Sequence, residues 1–327
     1  MKILLIGQCS LHWGRMEFGN IGNYYIIEPF VRELHRVFPG CEIRTTFQMS
    51  ERFCNDEKIA VLPMELFYGW TGEDLALAKR EVELAKQFSE TGKLTELTPF
   101  LEAVMWSDIV IDFSGDIWGD NADFLGNDRF EVGLLKDRVA QLMDKQTVML
   151  AGSPGPFGNP ELKKLAQTVY KAFDLVTNRE PLSTSLLEQE GFDCSNTLTF
   201  ACPAFLFKPT YNQKVDQVVS EIKAFPGQEI KPIVGFILCG WNFRNGPFDK
   251  WPRDDSDYDV FAETVEFISE ELGARVCLMS HSNGFDIPPA PFKLKHGRDY
   301  PIAKQLQKVV LERGIAKDVI ALDGLYD

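Results

Sequence analysis

Asp108-Ile109-Val110-Ile111-Asp112-Phe113-Ser114-Gly115-Asp116 is the stretch on which the reading of this chain turns. A short apolar run, Asp108–Phe113, ends on a polar turn containing a glycine. A helix-period run, Glu131–Asp144, follows, and a second apolar run, Thr147–Ala151, leads into Gly152-Ser153-Pro154-Gly155-Pro156-Phe157. Strand, turn, helix and strand in that order predict a parallel sheet covered by helices.

The pattern extends both ways. Upstream, Lys2–Gly7 predicts a first strand and Tyr24–Phe38 a helix, with Ile27, Phe30, Val31, Leu34 and Phe38 on its apolar face. Pro29 inside that helix should start it late or bend it, because proline lacks the N–H a helix interior uses. Cys41–Phe47 predicts a second strand, and Glu73–Ser89 a helix so charged that it is expected on the surface. Downstream, a helix (Pro160–Phe173), a strand (Leu175–Asn178), a helix (Leu182–Glu190) and a strand (Thr197–Phe200) continue the alternation. Residues 208–229 read as a crossover carrying a short polar helix, punctuated by Pro209, Pro226 and Gly227. A second unit then shows strands at Pro232–Cys239, Arg275–Ser280 and Val319–Leu322, with helices at Val260–Leu272 and Ile302–Arg313. That is about half of a doubly wound domain, so the second domain is expected to be incomplete at Asp327. The expected organisation is an N-terminal domain 1–207, a linker 208–229 and a partial C-terminal domain 230–327, within the α/β class.

Composition narrows the function. The 327 residues suit two domains at ~100–200 residues each. With 34 basic against 48 acidic residues the formal net charge is −14, which repels nucleic acid and anionic lipid while leaving room for a local cationic pocket. The seven cysteines are scattered without a Cys-x-x-Cys pair and read as reduced, mostly buried thiols. The apolar run after Met1 is too short for a signal peptide, and no run approaches the ~20 residues of a membrane helix. A cytoplasmic protein is expected.

In open parallel sheets ligands bind beyond the carboxyl ends of the strands. Four loops stand there. Gly19-Asn20-Ile21-Gly22-Asn23 leads into a helix start, which favours an anion; the bland alternative is a turn with Asn23 as helix cap. Ser114–Asp120 sets Asp116 and Asp120 around Trp118; Asp116 could orient a sugar hydroxyl or act as a base, and Trp118 could stack on a sugar face, or Asp116 could simply cap backbone donors. Gly152–Phe157 is a stiff turn suited to positioning a substrate. In Thr177-Asn178-Arg179-Glu180-Pro181-Leu182-Ser183, Arg179 can fork onto a carboxylate or phosphate, or else pair with Glu180 or Glu188. In the second unit His281 closes a strand, where it contacts either a ligand or backbone. His12, His35 and His296 have no metal-site spacing, and two isolated acids make a poor metal site. No nucleophile elbow, P-loop or dinucleotide glycine motif is present.

The ordered series of these loops, with Pro203-Ala204-Phe205-Leu206, Met279-Ser280-His281 and Asp299-Tyr300-Pro301-Ile302-Ala303, resembles the polysaccharide pyruvyl transferase family along nearly the whole chain. The resemblance implies two Rossmann-like domains in a GT-B-like arrangement. It implies transfer of pyruvate from phosphoenolpyruvate, a donor substrate rather than a cofactor, onto a sugar of a polysaccharide precursor as a ketal. Arg179 matches a family arginine that helps to hold the donor. The donor set expected around it is Asn20, Gly22, Asn23 and Ser153, and the acceptor set is Asp116, Trp118 and His281. The acceptor sugar would be nucleotide- or lipid-linked, with no metal, no nucleic acid and no integral membrane segment; a homo-oligomer stays open. The family's Arg-x-His motif occurs nowhere in this sequence, which implies either that the catalytic histidine lies beyond Asp327 or that the chain is inactive. The family usually has Asp, Gly and Asp where Asn23, Ser114 and Cys202 stand. The rival functions are a GT-B glycosyltransferase using a nucleotide sugar and a non-catalytic sugar-binding relative.

Overall fold

The computed structural model describes residues 1–8, 21–124, 126–209, 213–223, 231–244, 246, 252–281, 283–285, 294–297 and 299–322. The chain divides after Phe207 into two compact units.

The first unit runs β1 (Lys2–Ile6), α1 (Ile21–Val37), β2 (Glu42–Thr45), α2 (Glu51–Glu57), β3 (Ile59–Val61), α3 (Asp74–Thr91), α4 (Pro99–Trp106), β4 (Ile109–Asp112), α5 (Arg129–Leu142), β5 (Gln146–Gly152), α6 (Pro160–Lys171), β6 (Leu175–Asn178), α7 (Pro181–Gln189) and β7 (Thr197–Thr199). All seven strands pair in parallel, in the order β3-β2-β1-β4-β5-β6-β7. The order reverses between β1 and β4, which are direct neighbours.

Period-two alternation sorts the core. Ile3, Leu5, Ile43 and Ile111 face α1, burying Ile27, Val31 and Leu34. Leu4, Ile6 and Val110 face the other way, onto α3, α4 and α5. Each such aliphatic side chain is worth ~1.5–3 kcal/mol when fully buried. A third cluster under β5 and β6 gathers Met149, Val176, Tyr170, Phe130 and Trp118.

Three departures from the sequence expectation have physical causes. Helix α1 begins at Ile21, ahead of the expected Tyr24, and runs through Pro29, which is buried. Asn23 therefore sits inside the first turn and not at the cap. Helix α3 is not merely superficial: it buries Ala78, Glu81, Val82, Leu84 and Ala85. Glu81 is accommodated because Lys136 on α5 donates to it at 2.5 Å and Thr98 donates at 2.6 Å. Lys136 also reaches the Leu66 carbonyl at 2.7 Å and lies over the Phe100 ring. Burial pulls the Lys136 pKa down, and the Glu81 charge opposes that pull. The short α2 and α4 are set by caps more than by periodicity: Ser50 accepts from Phe53 N, and Thr98 accepts from Leu101 N ahead of Pro99.

The second unit contains α8 (Gln213–Lys223), β8 (Ile233–Ile237), α9 (Asp259–Glu270), β9 (Arg275–Met279), a hairpin of β10 (Asn283–Phe285) and β11 (Leu294–His296), α10 (Asp299–Glu312) and β12 (Val319–Ala321). Its parallel strands pair as β12-β9-β8 over a core of Val276, Leu278, Val265, Leu306 and Val310. The hairpin was not expected. Of the six described cysteines only Cys41 and Cys277 are buried; the others are half-buried, so the thiols are less enclosed than their scatter suggested. Among the described residues no helix is long and apolar enough to cross a membrane.

Candidate functional site

The loops leaving β4, β5 and β6 interlock at the carboxyl edge of the large sheet. Ser153 N donates to Gly115 O at 3.2 Å, Gly155 N to Trp118 O at 2.9 Å, and Asp120 N to Pro156 O at 2.9 Å. Gly119 and Gly155 make this possible. A Cβ on Gly119 would come within 2.6 Å of the Gly155 backbone, so the two turns touch only because Gly119 lacks a side chain, while Gly155 takes the positive φ of +112 that its turn needs. The Gly155–Pro156 peptide is cis.

Beneath them lies a polar anchor. Ser114 N donates to Asp112 Oδ1 at 2.8 Å and its hydroxyl to Asp112 Oδ2 at 2.9 Å; the same hydroxyl accepts from Gln8 N at 2.9 Å. Asp112 faces Asp137 of α5 as a hydrogen-bonded carboxyl pair, and Trp118 Nε1 donates to Asp137 at 3.2 Å. Burial pushes the Asp112 carboxyl up to about 6, against the pull of its Ser114 hydrogen bonds. Burial, then the Asp112 charge, raises Asp137 well above the carboxylate range. Two hydrogen-bonded carboxyls cannot both ionise cheaply, which favours a proton shared between them. Being fully buried, it positions the loop and touches no ligand.

Sequence reasoning passed over several residues here. Gln8 is wholly buried, and its carboxamide Nε2 and Oε1 have no hydrogen-bond partner among the described residues. Gly133, in the middle of α5, clears its space: a Cβ there would fall 1.5 Å from Gln8 Nε2. Arg129, also buried, donates to Gln8 O and stacks on the Tyr68 ring. An internal helix glycine, Gly133, about one turn into α5 was the available signal; the buried acids had none, because Asp112 reads as part of a strand.

At the ends of β5 and β6 the expected donor residues Ser153 and Arg179 meet. Arg179 Nε donates to Ser153 Oγ at 2.9 Å, and Arg179 N to Gly152 O at 3.2 Å. Ser153 Oγ in turn donates to Glu180 at 2.5 Å, and Ser183 donates to the same carboxylate oxygen. The ion pair weighed against function is also present: Glu180 lies 3.6 Å from Arg179 Nε. The guanidinium's terminal amino groups have no partner among the described residues, and the Arg179 side chain remains 27% exposed.

The other expectations divide. Asp116 is exposed in a tight turn, Gly115–Ile117, where a ligand could reach it. Trp118 is a correction. It is 1% exposed and packs edge-on against Phe130, Phe157 and Tyr170, so its faces are covered and it cannot serve as a sugar platform. Gly22 and Asn23 lie in the first turn of α1, and Asn20 lies outside the described residues. His281 belongs to the second unit, half-buried just beyond β9.

The large parallel sheet, the second α/β unit and the loops gathered at strand ends belong to a fold shared with solved structures of low sequence identity. The chain is similar to the UDP-GlcNAc 2-epimerase of Methanocaldococcus jannaschii, at 12% identity and a TM-score of 0.53, covering 100% of this chain and 74% of that one. A glycosyltransferase of Rickettsia africae ESF-5 matches at 11% identity and a TM-score of 0.53, over 98% of this chain and 67% of that one. These likenesses establish the GT-B-type fold alone. Residues 20–283 match polysaccharide pyruvyl transferase as a family, and the chain belongs to that family. It is 25% identical over 221 residues to the amylovoran biosynthesis protein AmsJ of Erwinia amylovora, covering 64% of this chain and 49% of that protein. The chain thus spans about half the length of the curated relative it matches.

Proposed function

We propose that the protein moves a pyruvyl group from phosphoenolpyruvate onto a sugar hydroxyl of a polysaccharide precursor. The supporting observation is the Arg179–Ser153 pairing, at the strand ends where the fold places ligands, in a chain of this family. Phosphoenolpyruvate carries a carboxylate and a phosphate. An arginine whose Nε is held by Ser153 is pre-oriented to offer its terminal amino groups as a fork to one of them. Glu180 offsets the Arg179 charge, so donor binding has to outweigh that carboxylate.

In the reaction the donor methylene carbon gains a proton, a first sugar hydroxyl bonds to the adjacent carbon and loses its proton, phosphate departs, and a second hydroxyl of the same sugar bonds to that carbon and loses its proton to give the ketal. Asp116, exposed on the neighbouring loop, would accept a hydrogen bond from the acceptor hydroxyl. The interlocked Gly115–Trp118 and Ser153–Pro156 turns fix the distance between the two groups.

Phosphate release from phosphoenolpyruvate, measured with a panel of nucleotide- and lipid-linked sugars, tests the reading. Release that depends on one acceptor supports it and names the sugar. Release of nucleotide from a sugar donor instead would replace it with glycosyl transfer, and neither activity from folded protein would leave a sugar-binding relative.

A further inference from the structure

A second concavity lies in the first unit, away from Arg179. It has a volume of about 320 Å³ and is lined by Tyr68, Trp70, Thr71, Asp74, Asn127 and Asp128, with two glycines and Leu75 between them. Its walls are the loop that follows β3 and the loop that precedes α5. The volume falls at the small end of the ~300–1,000 Å³ typical of small-molecule sites.

The pocket is built rather than accidental. Tyr68 Oη donates to Asn127 O at 2.7 Å, joining the two loops. Gly126 allows them to meet: a Cβ there would lie 2.6 Å from Tyr68 Oη and 2.9 Å from Trp70 Nε1. Asp74 is pinned by Gly69 N at 3.0 Å and Thr71 N at 2.8 Å. The buried Lys136 holds the Leu66 carbonyl just upstream. Two of the lining residues, Trp70 and Asp128, sit at φ +54, a left-handed conformation that bulky residues rarely adopt. Such local strain, ~1–3 kcal/mol each, persists where surroundings over-determine the backbone.

The chemistry of the wall selects the ligand. Half-buried Trp70 offers indole surface, while Asp74, Asn127, Asp128 and Thr71 offer acceptors and donors for hydroxyl groups. Among the described lining residues there is no lysine or arginine, and the starts of α3 and α5 that open on the pocket already carry Asp74 and Asp128. An anion would meet two carboxylates and no cation among those lining residues. A neutral, hydroxyl-rich ring meets an apolar surface and a polar rim.

We infer that this pocket binds a neutral sugar ring of the acceptor, with Trp70 as the packing surface and the Asp74, Asn127 and Asp128 side chains as hydroxyl partners. The inference rests on the reading that the chain handles a sugar acceptor, and the ring it assigns here is a different one from the ring whose hydroxyls meet the anionic donor near Arg179.

The test is saturation-transfer NMR and tryptophan fluorescence with the methyl glycosides of glucose, galactose and mannose, and with phosphoenolpyruvate as a competitor. The variants are Trp70→Ala, Trp70→Phe and Asn127→Ala, each checked for fold by circular dichroism. At least one glycoside should bind, weakened about tenfold or more by Trp70→Ala and less by Trp70→Phe, as for truncation of a buried aromatic anchor. Phosphoenolpyruvate should not compete. Should Trp70→Ala fail to fold, loss of affinity in Asn127→Ala carries the same weight. No glycoside binding at the solubility limit, binding indifferent to the variants, or competition by phosphoenolpyruvate would overturn the assignment. Pyruvyl transfer with an unchanged acceptor KM in Trp70→Ala would sink the pocket and spare the transfer reading. Trp70-dependent glycoside binding without any transfer would do the reverse.

Discussion

Replacing Asp137 by Asn tests whether the buried carboxyl pair controls the loop beneath the site. In the native protein Asp112 and Asp137 face each other with no solvent access. Asn at 137 can still accept from Trp118 Nε1 through its carbonyl, and its amide can donate to Asp112 without a titrating proton. Burial lifts Asp112 from the ordinary ~3.9 to about 6. Because its folded pKa is the higher one, its stabilisation is complete below the unfolded value and disappears as pH rises through the folded value. At 1.36 kcal/mol per pKa unit the loss across that window is ~3 kcal/mol, and Asp137, raised by burial and by the Asp112 charge, adds to it. Urea unfolding of both proteins from about pH 4 to about pH 8 reads this directly. We expect the difference in stability to move in favour of Asp137→Asn by ~1–3 kcal/mol as pH rises. Parallel profiles over the whole range would refute the shared proton, and with it the account of how Ser114 and Trp118 are held.

Other outcomes follow from the same geometry. Lys136→Met should lower unfolding free energy by ~3–5 kcal/mol, because Glu81 is left charged and buried; a cost under ~1 kcal/mol in chemical denaturation would mean that the pair is not retained. Gly119→Ala should cost ~1–3 kcal/mol by driving a methyl into the Gly155 backbone, and should weaken donor binding more than it lowers Tm. Arg179→Ala should weaken phosphoenolpyruvate binding by ~2–5 kcal/mol in calorimetry, and Arg179→Lys should restore only part, since a lysine cannot fork. Unchanged affinity in Arg179→Ala would remove this residue from the donor site.

Much of the large sheet was readable because β1, β4, β5 and β6 are apolar runs bounded by turn residues, and α1, α5 and α6 keep a helical period. The three-residue β3 and the seven-residue α2 are too short for any period to register. Of the site, Ser153 and Arg179 were legible as strand-end residues, and the structure brings them into contact. Trp118 was misread because an aromatic between two aspartates looks exposed, whereas its backbone turns it into the cluster around Tyr170.

By itself the sequence determined the α/β class, the strand-end position of the Gly152–Phe157 turn and of Arg179, and a net charge of −14. Those properties are local: they depend on periodicity, turn residues and net charge. Only the tertiary structure decided that Asp112 faces Asp137, that Gly133 makes room for Gln8, and that Tyr68 and Asn127 close a pocket. Each of these joins residues 25 to 125 positions apart in the chain, and only the packed fold brings such groups within hydrogen-bonding reach.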